Sequence, residues 1–303
     1  MATIEFEGVS FEYSRGSPIL RDIDLCIGPD DGLTCIVGPN GVGKSTLVRC
    51  MNRLLKPTMG RVTLSGADLN GMSRAEIASR VAYVPALSGD MASMTVFDMV
   101  LMGRYGGRKW RTDGRDVKLT RMALATLGVD DLADRYVSEL SAGQYQKVAL
   151  ARGLVQETDF LLLDEPTSNL DLRSQVYVAS LMRGIARNEG MSVVMISHDI
   201  NIASKFADRI IMMGPPGVVV ADGHPTDIVT RGSLLSVYGI DCDVTLHEGR
   251  PSVQIRSDSA RSADSGQMDR AEVPGQAPDL LPERSAELAG VPVPDNGGDI
   301  PHL

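Results

Sequence analysis

Residues 38–46 read Gly38-Pro39-Asn40-Gly41-Val42-Gly43-Lys44-Ser45-Thr46, and no other segment constrains the chain as strongly. The run has the form G-x-x-x-x-G-K-[ST]. It follows the strand-like Thr34–Val37 and precedes Leu47 and Met51 at helical spacing. A tight strand-to-helix turn of this kind belongs to a parallel α/β scaffold. Its glycines let backbone N–H groups converge on phosphate oxygens, and the following helix adds the positive end of its dipole. Gly38, Pro39, Asn40, Gly41, Gly43, Lys44, Ser45 and Thr46 are therefore expected to bind the phosphates of ATP. Lys44 would reach the β- and γ-phosphates, and the Ser45 hydroxyl would ligate Mg²⁺.

The rest of the chain agrees with that scaffold. Thr34–Val37, Val81–Val84, Phe160–Leu163 and Ser192–Ile196 are short apolar runs suited to buried parallel strands. Helical faces separate them: Leu47, Met51, Leu54 and Leu55 on one, Val178, Leu181, Met182 and Ile185 on another. The pattern predicts an α/β fold with a mostly parallel sheet. Ile4, Phe6 and Val9 alternate like a half-exposed strand and point to an antiparallel edge. From about Thr95 to Ser138 only helical patterns occur. This reads as an inserted helical subdomain that, with the helix after it, occupies about residues 95–155.

The first domain is expected to span residues 1–255. From Arg256 onward nine acidic residues face four arginines, without aromatics, lysine or periodicity, so residues 256–303 read as a disordered acidic tail. The net charge of -9 opposes a broad nucleic-acid footprint. Met1 to Ser10 show no secretory signal, and no apolar run has the length of a membrane span. Cys26, Cys35, Cys50 and Cys242 form no CxxC pair, and buried reduced thiols are the expectation.

Two further segments carry chemistry. Phe160-Leu-Leu-Leu-Asp164-Glu165 ends an apolar strand in two carboxylates, where an α/β sheet places its ligands. Asp164 would hold Mg²⁺ through water, and Glu165 would orient or deprotonate the attacking water. Leu140-Ser141-Ala142-Gly143-Gln144 opens a helix through Val148, Leu150 and Leu154, and Ser141-x-x-Gln144 is also a capping box open to any helix.

In its place just ahead of the Asp164 strand, the Leu140–Gln144 segment resembles the LSGGQ signature of the ATP-binding-cassette (ABC) family. The resemblance covers about Ile4 to Ile255. It implies that Ser141, Gly143 and Gln144 contact the γ-phosphate of ATP held by a second copy. Ala142 departs from the family's glycine. Tyr13 resembles the aromatic that stacks on adenine, a contact of ~1–3 kcal/mol by analogy with other base–aromatic pairs. Ser168-Asn169-Leu170-Asp171 looks like the loop joining the two subunits, and His198 in Ile196-Ser197-His198-Asp199 like the γ-phosphate sensor. After Val81-Ala-Tyr-Val-Pro85 the family carries glutamine, and here the residue is Ala86. That glutamine ordinarily touches Mg²⁺ and the attacking water and links the site to the permease.

Val100-Leu-Met-Gly-Arg104, His198-Asp-Ile-Asn-Ile-Ala203, Asp222-Gly-His-Pro-Thr-Asp-Ile-Val229 and Val237-Tyr-Gly239 look like importers of iron–siderophore complexes, haem and cobalamin. The resemblance thus implies a homodimer sandwiching two ATP molecules at the cytoplasmic face of the membrane. It would dock permease subunits near Leu87–Tyr105 and serve an extracytoplasmic substrate-binding protein indirectly. A soluble ABC-type ATPase in regulation or DNA maintenance, without a permease, stands as the alternative. A module that holds ATP without hydrolysing it would require Glu165 or His198 to be displaced.

Composition alone yields one prediction. Truncation after Arg256 should leave melting temperature and ATPase rate nearly unchanged, because a segment poor in apolar groups buries little area. A melting temperature lowered by many degrees in the truncated chain would show that the tail packs on the core.

Overall fold

The computed structural model describes residues 2–86, 93–105, 112–188 and 190–256. Strands β1 (Ile4–Glu12), β2 (Pro18–Ile27), β3 (Leu33–Val37), β4 (Met59–Leu64), β5 (Ala67–Asp68) and β6 (Val81–Val84) occupy the first part of the chain. They are followed by β7 (Phe160–Leu163), β8 (Ser192–Ile196), β9 (Arg209–Gly214), β10 (Val218–Gly223), β11 (Cys242–His247) and β12 (Arg250–Ile255). A six-stranded sheet has the order β10-β9-β3-β8-β7-β6. Its strands from β9 to β6 are parallel, and β10 is its antiparallel edge. β2-β1-β4-β5 make a second, antiparallel sheet.

The parallel strands are apolar throughout because both of their faces are covered. Alternate residues enter opposite layers. Leu161 and Leu163, with Val193 and Met195, join one cluster, whereas Phe160 and Leu162, with Val194 and Ile196, join the other. The first cluster is closed by helices and the second by the antiparallel sheet and α1 (Lys44–Met51). The remaining helices are α2 (Arg74–Ala78), α3 (Val96–Leu101), α4 (Gly114–Thr126), α5 (Ala142–Leu154), α6 (Leu172–Asn188), α7 (Ile200–Phe206), α8 (Pro225–Ile228) and α9 (Arg231–Tyr238).

The opening segment lies between β2 and β4 in the second sheet, the antiparallel part of the fold. Its buried residues, Ile4 and Phe6 then Val9 and Phe11, change phase once, where the register with β2 shifts at a bulge. The first helix is shorter than the apolar spacing suggests. It ends at Met51, and Leu54 is exposed while Leu55 packs on the second cluster from outside the helix. Cys26 is exposed, whereas Cys35, Cys50 and Cys242 are buried.

Among the described residues, the 95–155 region holds α3, α4 and α5, with one isolated bridge between Thr95 and Tyr136. Arg104 ties this region together. Its Nε donates to Asp116 Oδ1 at 2.8 Å, and its Nη1 donates to the Val155 carbonyl at 2.6 Å and to Glu157 Oε2 at 2.8 Å. Gly103 precedes it because a Cβ there would stand 2.5 Å from the Arg152 carbonyl oxygen. The tail, and residues 87–92 of the docking segment, lie outside the described residues.

Arg104→Ala should lower the unfolding free energy by about 2–4 kcal/mol, since it leaves two carboxylates and a carbonyl without their buried donor. Urea denaturation followed by circular dichroism measures this. A midpoint equal to the parent's would show that α4 and α5 stay joined without the guanidinium.

Candidate active site

The loop after β3 and the start of α1 hold their shape through close backbone approach. A Cβ at Gly38 would run into the Met213 carbonyl. Gly43 caps α1 with φ 99°, and a Cβ there would stand 2.8 Å from Leu20 Cδ2. Lys44 is buried, and its Nζ donates to the Gly38 and Pro39 carbonyls at 2.8 Å each. Burial pushes its ammonium below the ordinary lysine range, and the charges of Glu165 and Asp164 partly offset this. Among the described residues its hydrogen-bond partners are these two carbonyls.

Asp164 follows β7, whose neighbour β8 leads to His198. The Ser45 hydroxyl donates to Asp164 Oδ1 at 2.8 Å, bringing together two residues 119 positions apart. His198 Nε2 lies 2.6 Å from Glu165 Oε1. Glu165 adopts φ 54°, a left-handed conformation costly for a side chain with a Cβ. That turn carries the chain out of β7 and sets the carboxylate beside the imidazole. Tyr13, at the end of β1, is exposed, stands edge-on to Phe11 with ring centroids 4.8 Å apart, and shares a 3.3 Å hydrogen bond with Thr46 Oγ1. An exposed ring beside the phosphate loop offers a face for a base to stack on.

Tyr13, Lys44, Ser45, Thr46, Asp164, Glu165 and His198 thus converge on one end of the parallel sheet. Ser141, Gly143 and Gln144 do not join them within the chain. Ser141 Oγ accepts the Gln144 N–H at 3.3 Å and Gln144 Oε1 accepts the Ser141 N–H at 3.0 Å, so the capping box forms. Gly143 faces the Asn169 carbonyl and Leu170 in the segment between β7 and α6. Among the described residues no hydrogen bond links the three to the phosphate loop.

Two residues of the site escaped the motif reading. Tyr83, on β6, donates its hydroxyl to Asp164 Oδ2 at 3.1 Å. Arg49, one turn beyond Ser45 on α1, lies 3.9 Å from the same oxygen. Burial pushes the Tyr83 phenol above its usual range, so it stays a donor. The available signals were the i, i+4 spacing of Ser45 and Arg49 and the alternation of Val81-Ala-Tyr-Val, which turns Tyr83 to the α1 side of the sheet. Ala86 is half-buried two residues beyond β6.

The chain is similar to known proteins. The family profile described as "ABC transporter" matches residues 20–168. An uncharacterized ABC transporter ATP-binding protein of Methanocaldococcus jannaschii is 38% identical over 250 residues, 82% of this chain and 96% of that protein. A Bacillus subtilis ATP-binding protein named for a siderophore transport system is 34% identical over 81% of this chain and 89% of its own. A dimeric ATP-binding cassette in a post-hydrolysis state, bound to ADP and Pi, superposes with a TM-score of 0.66. It is 25% identical and covers 73% of this chain and 98% of its own.

Tyr83→Phe removes one hydrogen bond from Asp164 without touching the loop. It should raise the Mg²⁺ concentration for half-maximal ATPase activity about fivefold, equivalent to about 1 kcal/mol. An unchanged Mg²⁺ titration would show that Ser45 and Arg49 suffice to hold the carboxylate.

Proposed function

From the premise that this chain belongs to the ABC transporter family, we propose that it is the ATP-hydrolysing subunit of a membrane importer whose cargo is of the iron–siderophore, haem or cobalamin type. It would work as a homodimer on permease subunits at the cytoplasmic face of the membrane, with an extracytoplasmic substrate-binding protein served indirectly. The carrying observation is the paired geometry beside the phosphate loop: Ser45 with Asp164, and Glu165 with His198. A module that merely stored ATP would not need the second pair. Nothing observed favours a soluble ATPase without a permease. Among the described residues no helix is long and apolar enough to cross a membrane, so transport requires a partner.

The donor set fits Mg²⁺. Ser45 Oγ and Asp164 Oδ1 are hard oxygens within 2.8 Å of each other, at the mouth of the loop. Among the described residues no three His, Cys, Asp or Glu side chains gather as a metal cluster, so most ligands would have to be water and phosphate oxygens. A site of that kind fills together with the nucleotide. Bound Mg²⁺ supplies positive charge to the β- and γ-phosphates. Lys44 adds charge at the same oxygens, and Glu165 orients the attacking water and accepts its proton as the terminal P–O bond breaks to give ADP and phosphate. His198 holds Glu165 and, by the family resemblance, would sense the γ-phosphate.

The signature residues fit the role of ligands to ATP on a second copy. On the two side chains the capping box engages only the acceptors Ser141 Oγ and Gln144 Oε1, which take the backbone N–H groups of Gln144 and Ser141 and leave the side-chain donors aside. The Ser141 O–H and the Gln144 amide N–H groups remain as donors at a helix N-terminus, which suits a phosphate. Capping and anion binding are therefore compatible in one segment. The solved dimeric cassette bound to ADP and Pi supports the two-copy reading.

Glu165→Gln keeps the shape of the side chain and removes the base, so ATP should trap a closed dimer. Size-exclusion chromatography with Mg-ATP reads this directly, and a monomer at every ATP concentration would sink the two-copy reading. Ala86→Gln should raise turnover of the reconstituted transporter, or its stimulation by cargo, with little change in ATP affinity. Paired ATPase assays with and without cargo decide it. Identical rates would mean that position 86 has no part in coupling.

A further inference from the structure

A cleft of about 410 Å³ opens between α6, α7 and the β11–β12 hairpin. Arg183, Lys205, His247 and Arg250 line it, with Phe206 and Pro251 as apolar walls. Glu248, exposed in the hairpin turn, is the one acid among the lining residues. Asp208 lies behind them, and its backbone bonds Leu33 at the start of β3, whereas Gly38 follows that strand's end. The five residues of β3 span ~17 Å between those two ends.

Positive charge here exceeds its compensation. Asp208 Oδ1 takes Arg187 Nη2 at 2.5 Å, which leaves Arg183 Nε at 3.6 Å and Arg250 Nη2 at 3.8 Å from the same oxygen. Arg183 Nε is buried and lacks a hydrogen bond. Among the described residues Lys205 and His247 have no hydrogen-bond or ion-pair partner. Burial first, and then the neighbouring Arg183 charge, lower the pKa of Arg250 below the usual arginine range. Lys205 and Arg187 also complement the C-terminal dipoles of their helices, and Arg250 Nη1 donates to the Ala207 carbonyl at 2.7 Å, but the Arg183 Nε–H is left without an acceptor.

We propose that this cleft binds a phosphate-bearing anion, a phosphate ester or a diphosphate, through Arg183, Lys205 and Arg250. Phosphate oxygens would satisfy forked guanidinium donors and a lysine point charge together. The cleft is larger than a single phosphate, and Phe206 and Pro251 suit the carbon part of an ester. The site is independent of the ATP reading, because it shares no residue with the phosphate loop.

The test uses the full chain carrying Lys44→Ala, which removes the ammonium from the ATP site, with and without Lys205→Ala. Lys205 is exposed and unpartnered, so the second variant should fold, and its melting curve in chloride verifies this. Calorimetric titration with inorganic pyrophosphate should give binding that Lys205→Ala weakens about tenfold. In parallel, sedimentation with phosphatidate vesicles, against phosphatidylcholine controls, asks whether the phosphate is a lipid headgroup. Lys205-dependent binding in the first arm supports a soluble ligand, and in the second arm alone a lipid one. No Lys205-dependent binding in either arm would overturn the proposal and leave the basic residues as helix-end charges only.

Discussion

Four parallel strands ending on one side of the sheet allow residues 119 positions apart to share a hydrogen bond. Ser45 begins the helix after β3, and Asp164 follows β7, two strands away across β8. The in-register pairing of β3, β8, β7 and β6 brings these ends level. Tyr83 from β6 and His198 beyond β8 arrive at the same edge for the same reason. An antiparallel arrangement would send alternate strand ends to the opposite edge and scatter these groups. The apolar filling of both sheet faces is what keeps the strands rigid enough for bonds of 2.6–3.1 Å to persist.

Asp164 is held on both of its oxygens. One oxygen accepts from Ser45, the other from Tyr83, with Arg49 close by. Such fixed donors hold the side chain in one rotamer, and little ordering remains to be done when the nucleotide binds. Glu165, next in the chain, is aimed elsewhere by its left-handed backbone and meets His198 instead. Two adjacent carboxylates thus acquire different surroundings, which is what the two proposed roles require.

Segments that resemble importers also have structural work. Arg104 joins the ends of α4 and α5, and Gly103 lets the backbones approach. Asn201 donates to the Val253 carbonyl and accepts the Val253 N–H, binding the C-terminal hairpin to α7 as a neighbouring strand would. Asp222 takes both Nε and Nη2 of Arg209 across the β9–β10 pair. These contacts explain why such residues stand where they do without naming a cargo. They also build one wall of the basic cleft, since the hairpin that Asn201 holds carries His247 and Arg250.

The chemistry-bearing residues were legible in the sequence because a phosphate loop and an acidic strand end are local patterns. Val81–Val84, Phe160–Leu163 and Ser192–Ile196 match the observed strands residue for residue, since strands buried on both faces must be uniformly apolar. Leu54 misled, because an apolar residue at helical spacing says nothing of where the helix stops, and the chain leaves α1 at Asn52. Spacing put Arg49 on the face of Ser45 and Tyr83 on the α1 side of its strand, but it could not name their partner. Their partner is Asp164, and only the order of strands in the sheet makes them neighbours. The same holds for the basic cleft, whose charges come from two helices and a hairpin distant in sequence. Local periodicity and turn chemistry determine which elements form and which motifs they carry. Long-range pairing, driven by burial of both sheet faces, decided which of those side chains meet.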